Sequence, residues 1–395
     1  MLIKHYILLL IQLIICVLHF TEATLTPKSP RSNKEAKEDS VKILSGPVNQ
    51  TVIDRNLLTK SPSSKNILHN HQAYYKDTTE SNFEGLVLGY VTPWNNHGYD
   101  IAKLFGNKFT HISPVWLQVK RRGSLKYEII GTHDVDKKWI EDVKKAGRNR
   151  KLKIVPRLLF DGWSMKDYKA LLGDLEEAKK LSETLLRCCQ RYEFNGLVVE
   201  VWSQIAGNIP SHALIDFIKV VASQLTDNNL NFILVIPPKR EGQILFTAED
   251  FESLYDDVTA FSLMTYDFSS VQRPGPNAPI NWMEDCITYL SPDSSKRSKI
   301  LTGLNYYGNV FTANGGRPIV GHEYITLLKH FKGKMDYDPD SAESFFEMRA
   351  PDGRYMVFYP TLHSINERLL LADKLGTGIS IWELGQGLDY FYDLL

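Results

Sequence analysis

The sequence predicts an α/β chain whose main body is a (β/α)8 TIM barrel, with a small α+β insertion between strands seven and eight. Three observations carry this. From Leu86 onward, eight short apolar runs alternate with longer segments of helical periodicity, the pattern of a parallel sheet wrapped by helices. A chain of 395 residues is long enough for one large α/β barrel. The stretch 311–360 is longer than a connection requires and contains a hairpin signal of its own, Pro351-Asp352-Gly353 between apolar flanks.

Taken in order, the chain begins with Lys4 and His5, the apolar run Ile7 to Leu18, and Thr21-Glu22-Ala23. This predicts a secretory signal peptide over 1–23, because the apolar run is too short to span a bilayer and a small residue follows where cleavage is expected. A secreted chain without stable membrane insertion is therefore anticipated. Residues 24–83 are rich in Ser, Lys, Asn and Thr, poor in aromatics and interrupted by Pro at 27, 30, 47 and 62. That composition predicts a flexible N-terminal arm, with Ile53 to Leu58 able to dock locally. Asn49-Gln50-Thr51 makes Asn49 a glycosylation candidate.

The barrel is expected over 84–395. Its strands are read at Leu86 to Val91, Phe109 to Val119, Lys153 to Phe160, Phe194 to Trp202, Phe232 to Pro237, Val258 to Tyr266, Ile300 to Tyr307 and Gly378 to Leu384. Helices are read between them, among others at Lys137 to Ala146, Leu175 to Tyr192, Ala248 to Leu254 and Leu362 to Leu375. The insertion lobe, about 311–360, includes a helix at Glu323 to Phe331.

Lys plus Arg and Asp plus Glu both number 46 and no long run of one sign occurs, which argues against nucleic acid and anionic membrane and toward a neutral partner. With Cys16 in the signal, Cys188, Cys189 and Cys286 remain, and an odd number excludes full pairing. All three read as small buried apolar residues. No metal-ligand spacing is present and no cofactor is expected.

The stretch FNGLVVEVW, Phe194 to Trp202, sets an acidic residue among apolar ones. Alternation puts Val198, Glu200 and Trp202 on one face, the inward one, approaching the carboxyl end of the barrel where active sites form. The stretch resembles the signature strand of glycoside hydrolase family 18, the chitinases, written Asp-Gly-x-Asp-x-Asp-x-Glu. Asn195 and Gly196 take the opening pair, Val198 the second Asp, Glu200 the third Asp, and Trp202 the Glu that serves as general acid. An indole cannot transfer a proton at neutral pH.

Further stretches match the family: Met264-Thr265-Tyr266-Asp267 in strand six, and GISIWELGQG, which places Trp382 at the floor tryptophan that stacks under a pyranose. From Leu86 to Leu395 the chain is similar to one branch, the chitinase-domain-containing, stabilin-interacting chitinase-like proteins. One departure is the end of strand three, Phe160-Asp161-Gly162-Trp163, where active members have Ser-x-Gly-Gly.

The resemblance implies a non-catalytic carbohydrate-binding protein. It further implies ligands containing N-acetylglucosamine or bacterial glycolipid, a route to lysosomes or the exterior, and a stabilin-type sorting receptor as partner. Trp382, Tyr266, Asp267, Met264, Glu200, Trp202, Asp161, Tyr90 and Trp94 are the candidate ligand contacts. Glu200 is either a surviving carboxylate of a weak glycosidase or an inward charge held by Tyr266, Arg157 or another barrel group. Trp202 is either a sugar platform or a plug. A protein-interaction module with a relic cleft is the third functional class.

Overall fold

A computed structural model describes residues 41–351 and 353–395; the expected signal over 1–23 and the first part of the arm lie outside them. The chain enters through β1 (Ser45–Val48), which pairs in parallel with β2 (Gln72–Tyr75) across the helix Ser64–Asn70. The expected flexible arm, 24–83, is corrected over its described part: residues 41–83 are docked on the barrel. Val52, Ile67, Ala73 and Phe83 are at most 3 % exposed. Arg55 reaches Asp393 at 3.6 Å, and the Tyr75 N–H donates to the Asp393 carboxylate at 2.8 Å. Few apolar residues suffice because they dock on an existing surface rather than building a core of their own. Asn49 is exposed.

The barrel strands are β3 (Val87–Val91), β4 (His111–Pro114) with its continuation β5 (Leu117–Gly123), β7 (Lys153–Ile154) with its continuation β8 (Arg157–Leu159), β9 (Gly196–Glu200), β10 (Asn231–Ile236), β11 (Ala260–Leu263), β12 (Ile300–Asn305) and β18 (Gly378–Trp382). β6 (Lys126–Ile130) folds back on β5 as an antiparallel hairpin that the sequence reading missed. Strand three breaks at Val155-Pro156, because proline has no N–H to give the ladder. The ring still closes. Asn195 donates to the Ile154 carbonyl at 2.8 Å and Val198 to the Pro156 carbonyl at 3.0 Å, joining the broken strand to β9, while β18 pairs with β3.

Alternation along each strand separates two cores. Leu88, Tyr90, Val155, Val198, Ile233, Val235, Ala260 and Leu301 fill the barrel interior. Val87, Val91, Leu197 and Val199 face outward under the helices. Gly196 at φ +143° is required where it stands, since a side chain there would meet the Asn231 carbonyl at 2.0 Å. The Asn195 side chain accepts the Ile154 N–H at 2.9 Å, so the Asn-Gly pair is explained by how β9 enters the sheet. The helix Leu175–Tyr192 has the expected bounds: the Asp174 side chain caps it, and it buries Leu181, Leu185, Cys188 and Cys189. The three cysteines are free and buried.

The lobe between the seventh and eighth barrel strands comprises β13 (Gly308–Thr312), β14 (Gly315–Ile319), the helix Gly321–His330, β15 (Asp336–Asp338), β16 (Glu343–Ala350) and β17 (Gly353–Phe358). Its sheet runs β14-β13-β17-β16-β15. The expected hairpin is present, with Arg349 opposite Arg354. Tyr359, stacked on Tyr324 at 4.1 Å, donates to the Tyr306 carbonyl at 3.1 Å and so ties the lobe to the barrel.

Candidate functional site: an aromatic and charged barrel mouth

The floor of the mouth is built where β18 and β3 end. Trp382 packs against the interior core, with its ring 5.2 Å from that of Tyr90. The Tyr90 hydroxyl bonds Ser262 Oγ at 2.9 Å, and Ser262 donates to Ser380 Oγ at 3.2 Å, a polar layer directly below. Burial raises the Tyr90 pKa, so this phenol stays neutral. Trp382 remains partly exposed, and its indole N–H has no hydrogen-bond partner among the described residues.

Glu200 ends β9, and its partner among the candidates is Arg157: Nε and Nη2 both lie 2.6 Å from the same carboxylate oxygen. The Arg157 guanidinium also lies 5.8 Å over the Trp382 ring. Cation, carboxylate and indole thus form one cluster, in which Glu200 is engaged as an ion-pair acceptor.

Trp202 is elsewhere. The strand stops at Glu200, Val201 leaves the extended region at ψ −34°, and Trp202 opens the short helix Trp202–Ile205. Its indole is fully buried in the outer core, donates to the Leu245 carbonyl at 2.6 Å and packs edge-on against Phe246 at 4.8 Å. The expectation of an inward side chain, as platform or as plug, is corrected. Alternation holds only while the backbone stays extended, and here it turns one residue too early.

Met264 packs on the interior core just beyond β11. Tyr266 is partly buried; burial first, then the charges of Glu200 and Asp267 nearby, hold its phenol well above the ordinary pKa. Its hydroxyl, like the Trp382 N–H, has no hydrogen-bond partner among the described residues. Asp267 sits at φ +58°, its N–H given to Asn277 Oδ1 at 2.7 Å and its carboxylate accepting from the Tyr307 hydroxyl. Asn277 is held in turn by Glu343, which accepts its N–H at 3.0 Å and pairs with buried Arg368 at 3.1 Å. The lobe thereby braces the Asp267 turn, a link that spacing along the chain does not display.

Asp161 is exposed and paired with Lys120 of β5 at 2.7 Å, on the wall formed by the β5–β6 hairpin. Trp94 is 70 % exposed on the loop after β3. A further carboxylate escaped the sequence reading: Glu383, next to Trp382, is fully buried and accepts from Asn95 Nδ2 at 2.9 Å and the Gly385 N–H at 3.0 Å. Burial pushes its pKa up to about 7 despite those donors. Glu383 ties the loop bearing Trp94 to the strand end bearing Trp382. The only sequence signal was an acidic residue closing an apolar strand.

Comparison with known proteins bears on the fold that carries this mouth. Among solved structures, the chain is similar to the spore cortex-lytic enzyme SleL of Bacillus cereus, at 18% identity and TM-score 0.65, over 81% of this chain and 75% of that one. It is similar to a chitinase from Chromobacterium violaceum, at 21% identity and TM-score 0.64, over 78% and 98% of the two chains. It also resembles a mutant chitinase from Cycas revoluta in complex with (GlcNAc)4, at 12% identity and TM-score 0.64, over 78% and 98%. These likenesses are of fold. Residues 86–387 match the family described as Glycosyl hydrolases family 18, and with three quarters of its length inside that match the chain belongs to this family.

Proposed function

We propose that the chain is a non-catalytic, chitinase-like lectin that takes oligosaccharides containing N-acetylglucosamine at the mouth above Trp382. The observation that carries this reading is the pairing of free and spent groups. Trp382 N–H and Tyr266 O–H have no hydrogen-bond partner among the described residues, while Glu200, the inward carboxylate of the signature strand, is held by Arg157 at 2.6 Å. The position of the family acid is Trp202, which has no transferable proton and is buried. A ligand can thus be stacked and hydrogen-bonded at this mouth, while position 202 offers it no acid. The Cycas revoluta chitinase with (GlcNAc)4 supports the ligand class.

The finer assignments belong to the same proposal: the stabilin-interacting branch, a secretory route ending outside the cell or in lysosomes, a stabilin-type receptor, glycosylation at Asn49 and bacterial glycolipid as a further ligand. Calorimetry with a chitooligosaccharide series, run beside a hydrolysis assay, tests the core of it. Binding without turnover is expected. Hydrolysis abolished by Glu200→Gln would establish the glycosidase reading instead, and absence of binding would favour a relic cleft on a protein-interaction module.

A further inference from the structure

The balanced net charge suggests a neutral partner, and several cations at the mouth agree because each has its own carboxylate. Arg157 is paired with Glu200, Lys120 with Asp161, and Lys239 with Asp285 at 2.9 Å. Two arginines on the loops after β10 and β11 differ. Arg240 gives Nη2 to the Asp267 carbonyl at 2.8 Å and to the Tyr266 carbonyl at 3.4 Å, and its guanidinium lies 5.7 Å over Trp282. Trp282 is 5.1 Å from Phe268, which carries the Arg273 guanidinium 5.1 Å over its ring. Among the described residues, neither arginine has a carboxylate within 4.0 Å.

We propose that Arg240 and Arg273 form an anion-binding rim beside Asp267, so that the saccharide taken at this mouth carries an oxyanion substituent such as a sulfate or phosphate ester. The inference rests on the saccharide-binding reading above. Stacking on an aromatic ring orients a guanidinium while leaving its edge donors free, and guanidinium is weakly hydrated, which makes such a group suited to a planar or tetrahedral oxyanion. The two carbonyl contacts of Arg240 fix its direction at the cost of one nitrogen. Asp267 and Glu241 are the acids closest in sequence to these groups. The Asp267 carboxylate is engaged by the Tyr307 hydroxyl and Glu241 is exposed to solvent.

The test is calorimetry at low salt with a neutral chitooligosaccharide and its O-sulfated and O-phosphorylated derivatives of the same length, on the full chain and on the double variant Arg240→Gln/Arg273→Gln, each shown folded by circular dichroism. The anionic derivatives are expected to bind at least about tenfold more tightly than the neutral one, from charge-assisted hydrogen bonds. That ratio should shrink as salt is raised and approach one in the double variant. A preference for one derivative over the other identifies the ester. If the full chain binds all three alike, the anion rim is refuted and the lectin reading stands. If the double variant keeps the preference, the rim is refuted because another cation supplies it. If none binds, the lectin reading falls and the rim with it.

Discussion

Arg157 and Glu200 lie on adjacent strands, β8 and β9, and both guanidinium donors converge on one carboxylate oxygen at 2.6 Å beneath the barrel mouth. Their side chains are only 14% and 20% exposed, so removing one partner leaves the other poorly solvated. Glu200→Ala should therefore destabilise the fold by about 1–3 kcal/mol, less than for a fully buried pair. Urea denaturation checks this, and Arg157→Met combined with Glu200→Leu should recover part of the loss. An unchanged midpoint in the single variant would mean that the pair contributes nothing to the fold.

The two tryptophans should separate cleanly. Trp382→Ala is expected to weaken chitooligosaccharide binding by roughly 1–3 kcal/mol, about five- to a hundred-and-fiftyfold, with the fold retained. Trp202→Ala should do the reverse: a loss of about 3–5 kcal/mol in stability, with affinity per folded molecule unchanged. Equal ligand affinity for parent and folded Trp382→Ala protein would move the site away from this mouth.

Glu383 makes stability depend on pH in a defined direction. Its folded pKa of about 7 lies above the ordinary 4.5, so the folded protein holds this proton more tightly than the unfolded chain does. The contribution is complete below pH 4.5 and is lost as pH rises toward and through 7, on the order of 3 kcal/mol in all. His97, 2.8 Å from Asp389, acts in the same sense, because the bond to that carboxylate raises its pKa. Buried His111, whose pKa is pushed down to about 4, opposes this trend over the same range, so the readout is the difference between two proteins: between pH 5 and pH 7.5 Glu383→Gln should lose less stability than the parent. A variant with the parent's slope would show that Glu383 does not titrate in this range.

The segment 41–83 should be part of the stable unit. Deleting it exposes the surface that Val52, Ile67, Ala73 and Phe83 cover and leaves Asp393 without Arg55. Calorimetric melting should fall by at least about 5 °C. If the shortened chain melts with the parent, this contact is incidental to the fold.

The amino-acid sequence by itself determined the repeating architecture. Apolar runs of period two and helices of period 3.6 are local patterns, and so the barrel units, the helices Lys137–Ala146, Leu175–Tyr192, Ala248–Leu254 and Leu362–Leu375, and the inserted hairpin were all legible. Alternation also marked Glu200 as an inward group, and the family resemblance of GISIWELGQG marked Trp382. What only the tertiary structure decided was depth and partnership. Trp202 turned out of the cleft because β9 ends at Glu200, and Arg157 rather than Tyr266 took the Glu200 carboxylate. Glu383 became a buried acid, the lobe reached Asp267 through Asn277 and Glu343, and residues 41–83 found a surface to cover. The physical reason is common to these cases. Periodicity assigns a side chain to a face, whereas the free energy of a charge, an indole or a short apolar segment depends on what ring closure brings against it from distant parts of the chain.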